Sequence, residues 1–352
     1  MAYTTINKST DYFNTKLYTG TGSAPLNITG LDFQPDFNWT KNRSTAGGYS
    51  HNLCDVVRGT TKYIKSNSSN AEQTDSNNIT SFNSDGYTLG FSTNGEHNVN
   101  GHTYASWNWK ANGAGSANTD GDINSTVSAN TTAGFSIVKY SGNSTSNQTI
   151  GHGLGSTPKM IIIKRLTNTN SWITYHSSLG ATKMIFIDQT STPTTSAAPF
   201  NNTSPTNSVF TVDGNGGYNP VNVSSNDYIA YCFAEKTGYS KFGSYTGNGN
   251  ADGTFVYTGF KPAFIMLKNT ETAGNNWVMI DNKRLGYNVD NNRIYADLSN
   301  AEDTTDVIDI VSNGFKHRFT GGTSNGSGDN YIYMAFAEAP LVGSNNVPCT
   351  AR

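Results

Sequence analysis

The chain has 352 residues and a formal net charge of -2, and charged residues make up only 14% of it. That is well below the usual quarter, with Asn, Ser, Thr and Gly in their place. No basic stripe offers itself to nucleic acid, no run of about 18 apolar residues offers a membrane span, and an aromatic content of 12% speaks against disorder.

Residues 1–13 form a short polar arm, expected to dock on a neighbouring subunit or to fray. The opening Met-Ala-Tyr-Thr-Thr-Ile lacks the basic and apolar regions of a secretory signal. A first unit follows over residues 14–110. Its Tyr18-Thr-Gly20 reads as a strand end and turn. Phe37-Asn-Trp-Thr-Lys41 alternates apolar and polar residues, which predicts a half-buried strand. A turn is expected at Gly47-Gly48, then His51-Asn-Leu-Cys-Asp55-Val-Val-Arg58, and the unit closes on Tyr104-Ala-Ser-Trp-Asn-Trp109. Residues 111–132 are rich in Gly, Asn, Ser and Thr and predict a flexible linker or a long surface loop.

The second unit, residues 133–236, sets the pattern. It runs Tyr140-Ser-Gly-Asn143, Ile150-Gly-His-Gly-Leu-Gly155, Pro158, Met160-Ile-Ile-Ile-Lys164, Trp172-Ile-Thr-Tyr-His176, Leu179-Gly180 and Tyr228-Ile-Ala-Tyr-Cys-Phe233. The third unit, residues 237–340, repeats that order. Tyr245-Thr-Gly-Asn248, Pro262, Phe264-Ile-Met-Leu-Lys268, Trp277-Val-Met-Ile-Asp281, Leu285-Gly286 and Tyr331-Ile-Tyr-Met-Ala-Phe336 stand at the matching places. A polar tail, residues 341–352, ends the chain.

Helix signals are nearly absent, since Gly or Asn interrupts most windows. Short strands between Gly/Asn turns predict an all-β fold of three tandem β-sandwich repeats, jelly-roll or lectin-like in kind. The Trp and Tyr of each unit are expected to fill the space between its two sheets. Cys54, Cys232 and Cys349 are odd in number and widely spaced, which predicts free thiols, two of them packed as small hydrophobes.

These motifs resemble a repeat domain of bacteriophage virion proteins, common in phages of marine bacteria. The residues that carry the resemblance are Tyr-[Ser/Thr]-Gly-Asn, His152-Gly-Leu-Gly-x-x-Pro158, Trp172-x-x-Tyr-His176 through Gly180, and Gly238-Tyr-Ser-Lys-Phe-Gly-Ser-Tyr245. Val56-Val-Arg58 through Tyr63 and Ser299-Asn-Ala-Glu-Asp303 belong to the same pattern, which covers about residues 12–340. In longer relatives the domain often sits beside lectin-like modules on tail-fibre or other structural proteins. The resemblance implies an exposed virion component made in the host cytoplasm, with capsid or tail proteins as partners. It brings no catalytic residues.

Candidate sites are few. His152, in its Gly-rich setting, lacks the following helix that a phosphate cradle needs, and a turn is the expected role. Asp55, His176 and Asp281 share one place in the three units, and no recurring nucleophile or second carboxylate accompanies them. Asp120-Gly-Asp122 and Asp329-Asn330 offer oxygens without the spacing of a calcium loop. Exposed rings beside amides suit sugar binding, so Trp107, Trp109, Tyr175 and His176 are candidate glycan contacts. Trp172 and Trp277 are expected in the core. No cofactor or metal is expected. The expectation is a non-enzymatic virion surface protein, in head decoration or in the tail or fibre, attached through its arm and tail. The alternative is an adhesin for host surface polysaccharide, and a homotrimer stays open. A depolymerase would need a carboxylate pair that the sequence does not announce.

Overall fold

In the computed structural model the described residues are 3–44, 48–92, 94–214, 219–284, 288, 292–345 and 347–348. Gly47, Leu285-Gly286 and Cys349 lie outside them. The protein is all-β. Its described helical structure is a single short turn, Ser9–Asp11, and the sheets are antiparallel and open.

Three larger sheets lie along the chain. In the first, the order is Phe13–Thr19, Thr103–Trp109, Phe37–Asn42, Asn52–Asp55. The core of the second is Phe135–Ser141, Asp227–Phe233, Met160–Arg165, Ile173–His176. The third runs Ser240–Thr246, Asn330–Pro340, Phe260–Asn269, Val278–Asp281. In each, the strand that closes a stretch of sequence pairs with the strand that opens it. Smaller sheets accompany them: Leu26–Thr29 with Gly86–Leu89 and Ile79–Asn83, Gln148–Gly151 with Val209–Val212, and Phe255–Tyr257 with Gly314–His317 and Ile308–Val311. Residues 111–132 are not a linker. Ser116–Asn118 and Ser125–Asn130 add two strands to the second sheet, pairing onward to Phe135–Ser141. Sparse apolar residues hid them, because their outer face is wet.

Successive side chains of a strand point to opposite faces, and here the central strands of each large sheet are buried on both faces. On Thr103–Trp109, residues Ala105, Trp107 and Trp109 face one way. On Asp227–Phe233 the equivalents are Ile229, Tyr231 and Phe233, and on Asn330–Pro340 they are Ile332, Met334 and Phe336. All nine belong to one hydrophobic cluster, which also takes in all five tryptophans. The opposite faces serve local cores, around Tyr140, Ile161 and Tyr228, around Tyr245, Ile265 and Tyr331, and around Ile28, Ile79 and Tyr87. The tryptophans therefore do not fill the space between the sheets of their own stretch. They meet in a core shared by the whole chain. Phe37–Asn42 is likewise buried on both faces rather than half-buried. Its second face is polar: Asn38 Nδ2 donates to Asn108 Oδ1 at 2.7 Å, and Thr40 donates to Asn38 Oδ1.

The tyrosine faces are built alike in all three stretches. Tyr18 and Tyr104 stack at 4.9 Å, Tyr140 and Tyr228 at 5.1 Å, Tyr245 and Tyr331 at 4.8 Å. The later ring of each pair accepts a backbone N–H through its hydroxyl, from Val99, Val223 and Gly326. The earlier ring donates to the carbonyl of His97, Val221 and Ser324. This explains the Tyr-[Ser/Thr]-Gly motif. A Cβ on Gly20, Gly142 or Gly247 would come within 2.2–2.3 Å of the carbonyl oxygen of Val99, Val223 or Gly326. Only glycine lets the strand end approach that loop.

The N-terminal arm packs on its own chain. Ile6 enters the shared core, Tyr3 donates to Gly259 O at 2.8 Å, and Asn7 bonds Ser344 of the tail. Among the described residues no helix is long and apolar enough to cross a membrane.

Candidate functional site

The four candidate glycan contacts are buried. Trp109 sits in the shared core, and Trp107 Nε1 donates to Asp281 Oδ2 at 3.0 Å. Tyr175 packs against Phe200 in the local core of the second stretch. His176 bonds Tyr333 O at 3.2 Å through Nε2 and accepts from Ser178 N through Nδ1. This fixes its tautomer, and burial pushes its pKa down to about 4, so it is neutral. None of the four presents a ring face to a sugar. Rings beside amides marked them as sugar contacts, and burial of their strands on both faces took them inside.

Asp55, His176 and Asp281 stand opposite Phe37, Met160 and Phe264, in equivalent register. An arginine, which is neither nucleophile nor carboxylate, recurs beside two of the three. Asp55 pairs with Arg58 at 2.5 Å and Asp281 with Arg284 at 2.6 Å, both ion pairs fully buried. Each of the three also reaches another stretch. Tyr231 donates to Asp55 Oδ2 at 2.8 Å, Trp107 to Asp281, and His176 to Tyr333 O. A second ring of contacts lies one layer away. Trp172 Nε1 donates to Lys65 O, Trp277 Nε1 to Phe186 O, and His51 Nε2 bonds Tyr295 O while its Nδ1 accepts from Trp39. The contacts run first to third, second to first and third to second, so they close a cycle.

Lys41, Lys164 and Lys268, which end the matching runs of the three units, occupy one register position, and no site role was expected of them. All are buried. Lys41 Nζ donates to Asn42 O and Ser299 O, Lys164 to Asn170 O and Ser69 O, and Lys268 to Asn275 O. Desolvation pushes each pKa down to about 8. Between about pH 8 and the ordinary lysine value near 10.4 the unfolded chain holds protons that the fold has released, so stability rises with pH. Buried tyrosines such as Tyr87, pushed up to about 12, close that window near pH 10. Urea midpoints are expected to climb from pH 8 to 10, and a Lys41→Met/Lys164→Met/Lys268→Met variant to lose that climb. A flat wild-type profile would contradict the assignment.

The remaining sequence candidates are structural in geometry. His152 is buried, bonded to Thr206 O and Leu154 N. Asp122 accepts from Thr149 N and Oγ1, and Asp329 from Asn269 Nδ2. No cluster of three or more His, Cys, Asp or Glu fit to hold a metal occurs among the described residues. Cys54 and Cys232 are free and buried, and burial raises both thiols.

One cleft of about 380 Å³ opens between the second and third stretches. Ser178, Lys183 and Thr192 line one wall; Ser244, Glu271 and Asn330 line the other. Lys183 lies on the outlying strand Lys183–Phe186 and makes no ion pair among the described residues. Glu271 is fixed by Asn330 Nδ2 at 2.8 Å. Elsewhere, Phe255 and Tyr257 are 47% and 53% exposed on the outer face of their strand.

Residues 8–340 match the family model of DUF7483, a domain of unknown function. The chain belongs to the DUF7483 family. No curated protein matches it. The DUF7483 match takes in all three large sheets, the cyclic contacts and the cleft, so these features belong to the domain and not to appended segments.

Proposed function

We propose that the protein is a non-enzymatic, exposed virion component, built as three tandem β-sandwich units packed in a ring around one core. The cyclic contacts carry this reading. The polar groups that recur along the chain, Asp55, His176, Asp281 and the three lysines, each hold a junction or a buried carbonyl. They make a rigid body in place of a reaction centre. The motif resemblance to phage virion proteins points the same way. Head decoration and the tail or fibre are the two places for it, with capsid or tail proteins as partners. A three-fold arrangement inside one chain removes the need for a homotrimer. The arm does not serve as a free anchor, because Ile6 and Phe13 are core residues; deletion of residues 1–13 is expected to unfold the chain. Labelled antibody on intact particles, viewed by electron microscopy, tests the location. Detection in host lysate with none on particles would end the proposal.

A second reading, a carbohydrate-binding adhesin, is favoured by the cleft between the second and third stretches, a concave polar site open to solvent. Adsorption of the purified chain to host envelopes tests it, and loss of adsorption after enzymatic stripping of the polysaccharide is the expected result.

A further inference from the structure

We infer that the cleft between the second and third stretches is a binding site for a neutral oligosaccharide. This rests on the carbohydrate-binding reading and names its site and ligand class. The volume, about 380 Å³, falls in the range of roughly 300–1,000 Å³ of small-molecule sites. The lining chooses the chemistry. Ser178, Thr192 and Ser244 present hydroxyls, each both donor and acceptor, while Thr270 Oγ1, whose proton goes to Asn330 O, offers an acceptor. Lys183 adds a donor cation from one wall and Glu271 an acceptor anion from the other. A ligand rich in hydroxyls satisfies both kinds of group. A ligand of either net charge is attracted by one of Lys183 and Glu271 and repelled by the other, so the lining favours neither sign. Pro193 and Leu179 give the C–H face of a sugar ring an apolar contact.

The geometry is also held in place. Glu271 is oriented by Asn330 Nδ2, and Thr270 Oγ1 donates to Asn330 O at 2.9 Å. Ser244 lies on a strand paired at Ile332, beside the stacked Tyr245 and Tyr331. Positions fixed by the backbone ladder give a polar wall that need not reorganise on binding.

The exposed pair Phe255 and Tyr257 is the rival site. Their counterparts opposite the small-sheet partners are Asn27 and Thr29 in the first stretch and Thr149 and Gly151 in the second, so only the third carries rings there. Those rings are partly covered. Phe255 Cε2 lies 3.2 Å from where a Cβ of Gly314 would stand, and Tyr3 of the arm reaches Tyr257. They lie exposed on one face of their strand, whereas the cleft is lined from two sides.

An array of neutral hexose, N-acetylhexosamine and uronic-acid oligosaccharides, probed with the full chain, tests the assignment. Binding is expected to neutral members over uronic-acid members. Ser244→Trp plugs the cleft from an exposed position and is expected to weaken binding at least about tenfold, or 1.4 kcal/mol, with an unchanged near-ultraviolet circular dichroism spectrum. Glu271→Ala/Lys183→Ala is expected to weaken it as well. Binding that survives Ser244→Trp but is lost in Phe255→Ala/Tyr257→Ala moves the site to the outer strand and overturns the inference, while the carbohydrate reading stands. Preference for uronic-acid members also overturns it. No binding to any member overturns both.

Discussion

Replacing Trp109 by Ala is expected to destabilise the whole chain by about 3–5 kcal/mol and to lower a single unfolding transition. The indole stacks on Phe37 at 5.3 Å and packs at 4.9 Å from Phe13, both in the first stretch. It meets Phe233 of the second stretch and Phe264 and Phe336 of the third. Truncation leaves a cavity bordered by all three, and a close-packed interior relaxes only in part. Units with private cores would respond differently. A comparable change at Tyr140 would then melt one unit and spare the others. Here the shared cluster couples them, so calorimetry and tryptophan fluorescence should report one coincident transition in wild type and variant alike. Three separable transitions, or a loss confined to the first stretch, would contradict a common core.

The second large effect is expected at Asp281. Burial raises its pKa, but Arg284 beside it outweighs burial and holds the carboxyl below its usual range. Asp281→Ala would take from the fully buried Arg284 its nearer carboxylate, leaving Glu302 at 3.2 Å and the carbonyl of Met279, and would leave Trp107 Nε1 without its acceptor. Breaking one side of a buried ion pair costs about 3–5 kcal/mol. Removing both charges, as Asp281→Ala/Arg284→Met, should recover much of that loss, because no unpaired guanidinium remains. The pH dependence has a definite sign. A carboxyl with a depressed folded pKa contributes stability that is present above its unfolded value, near 3.9, and is lost as pH falls through the folded one. Wild type should therefore lose stability below about pH 4 more steeply than the double variant. Chemical denaturation at pH 3, 4 and 7 measures both claims. A single variant no weaker than the double would refute the pairing argument.

Glycan assays will need care with the rings first chosen from sequence. Trp107 and Trp109 are core residues, so their replacement would abolish binding by unfolding and mimic a positive result. Ser244 and Lys183 are exposed and free of that ambiguity.

The all-β class, the strands and the repeated order of motifs were legible in the amino-acid sequence. They depend on local rules: alternation along a strand, Gly and Asn at turns, and the Tyr-[Ser/Thr]-Gly strand end whose glycine answers a contact within its own stretch. The lysine at position 41, 164 or 268 was legible too, as a charge at the end of an apolar run, but its burial was not. That needed knowledge of a carbonyl such as Ser299 O, which lies 258 residues from Lys41. The strands within residues 111–132 escaped for another reason: Ser125–Asn130 pairs with the adjacent Phe135–Ser141 across a short hairpin, but few of its residues are apolar.

What only the tertiary structure decided is which sheet faces meet. Period-two alternation says that Trp107 and Trp109 share a side of their strand; it does not say what covers that side. Three large sheets turning one face toward a common centre placed every tryptophan in one core, turned two Asp-Arg pairs and His176 into ties between stretches, and left a polar cleft where two walls come together. Each outcome depends on groups far apart along the chain, and no short-range pattern encodes such meetings.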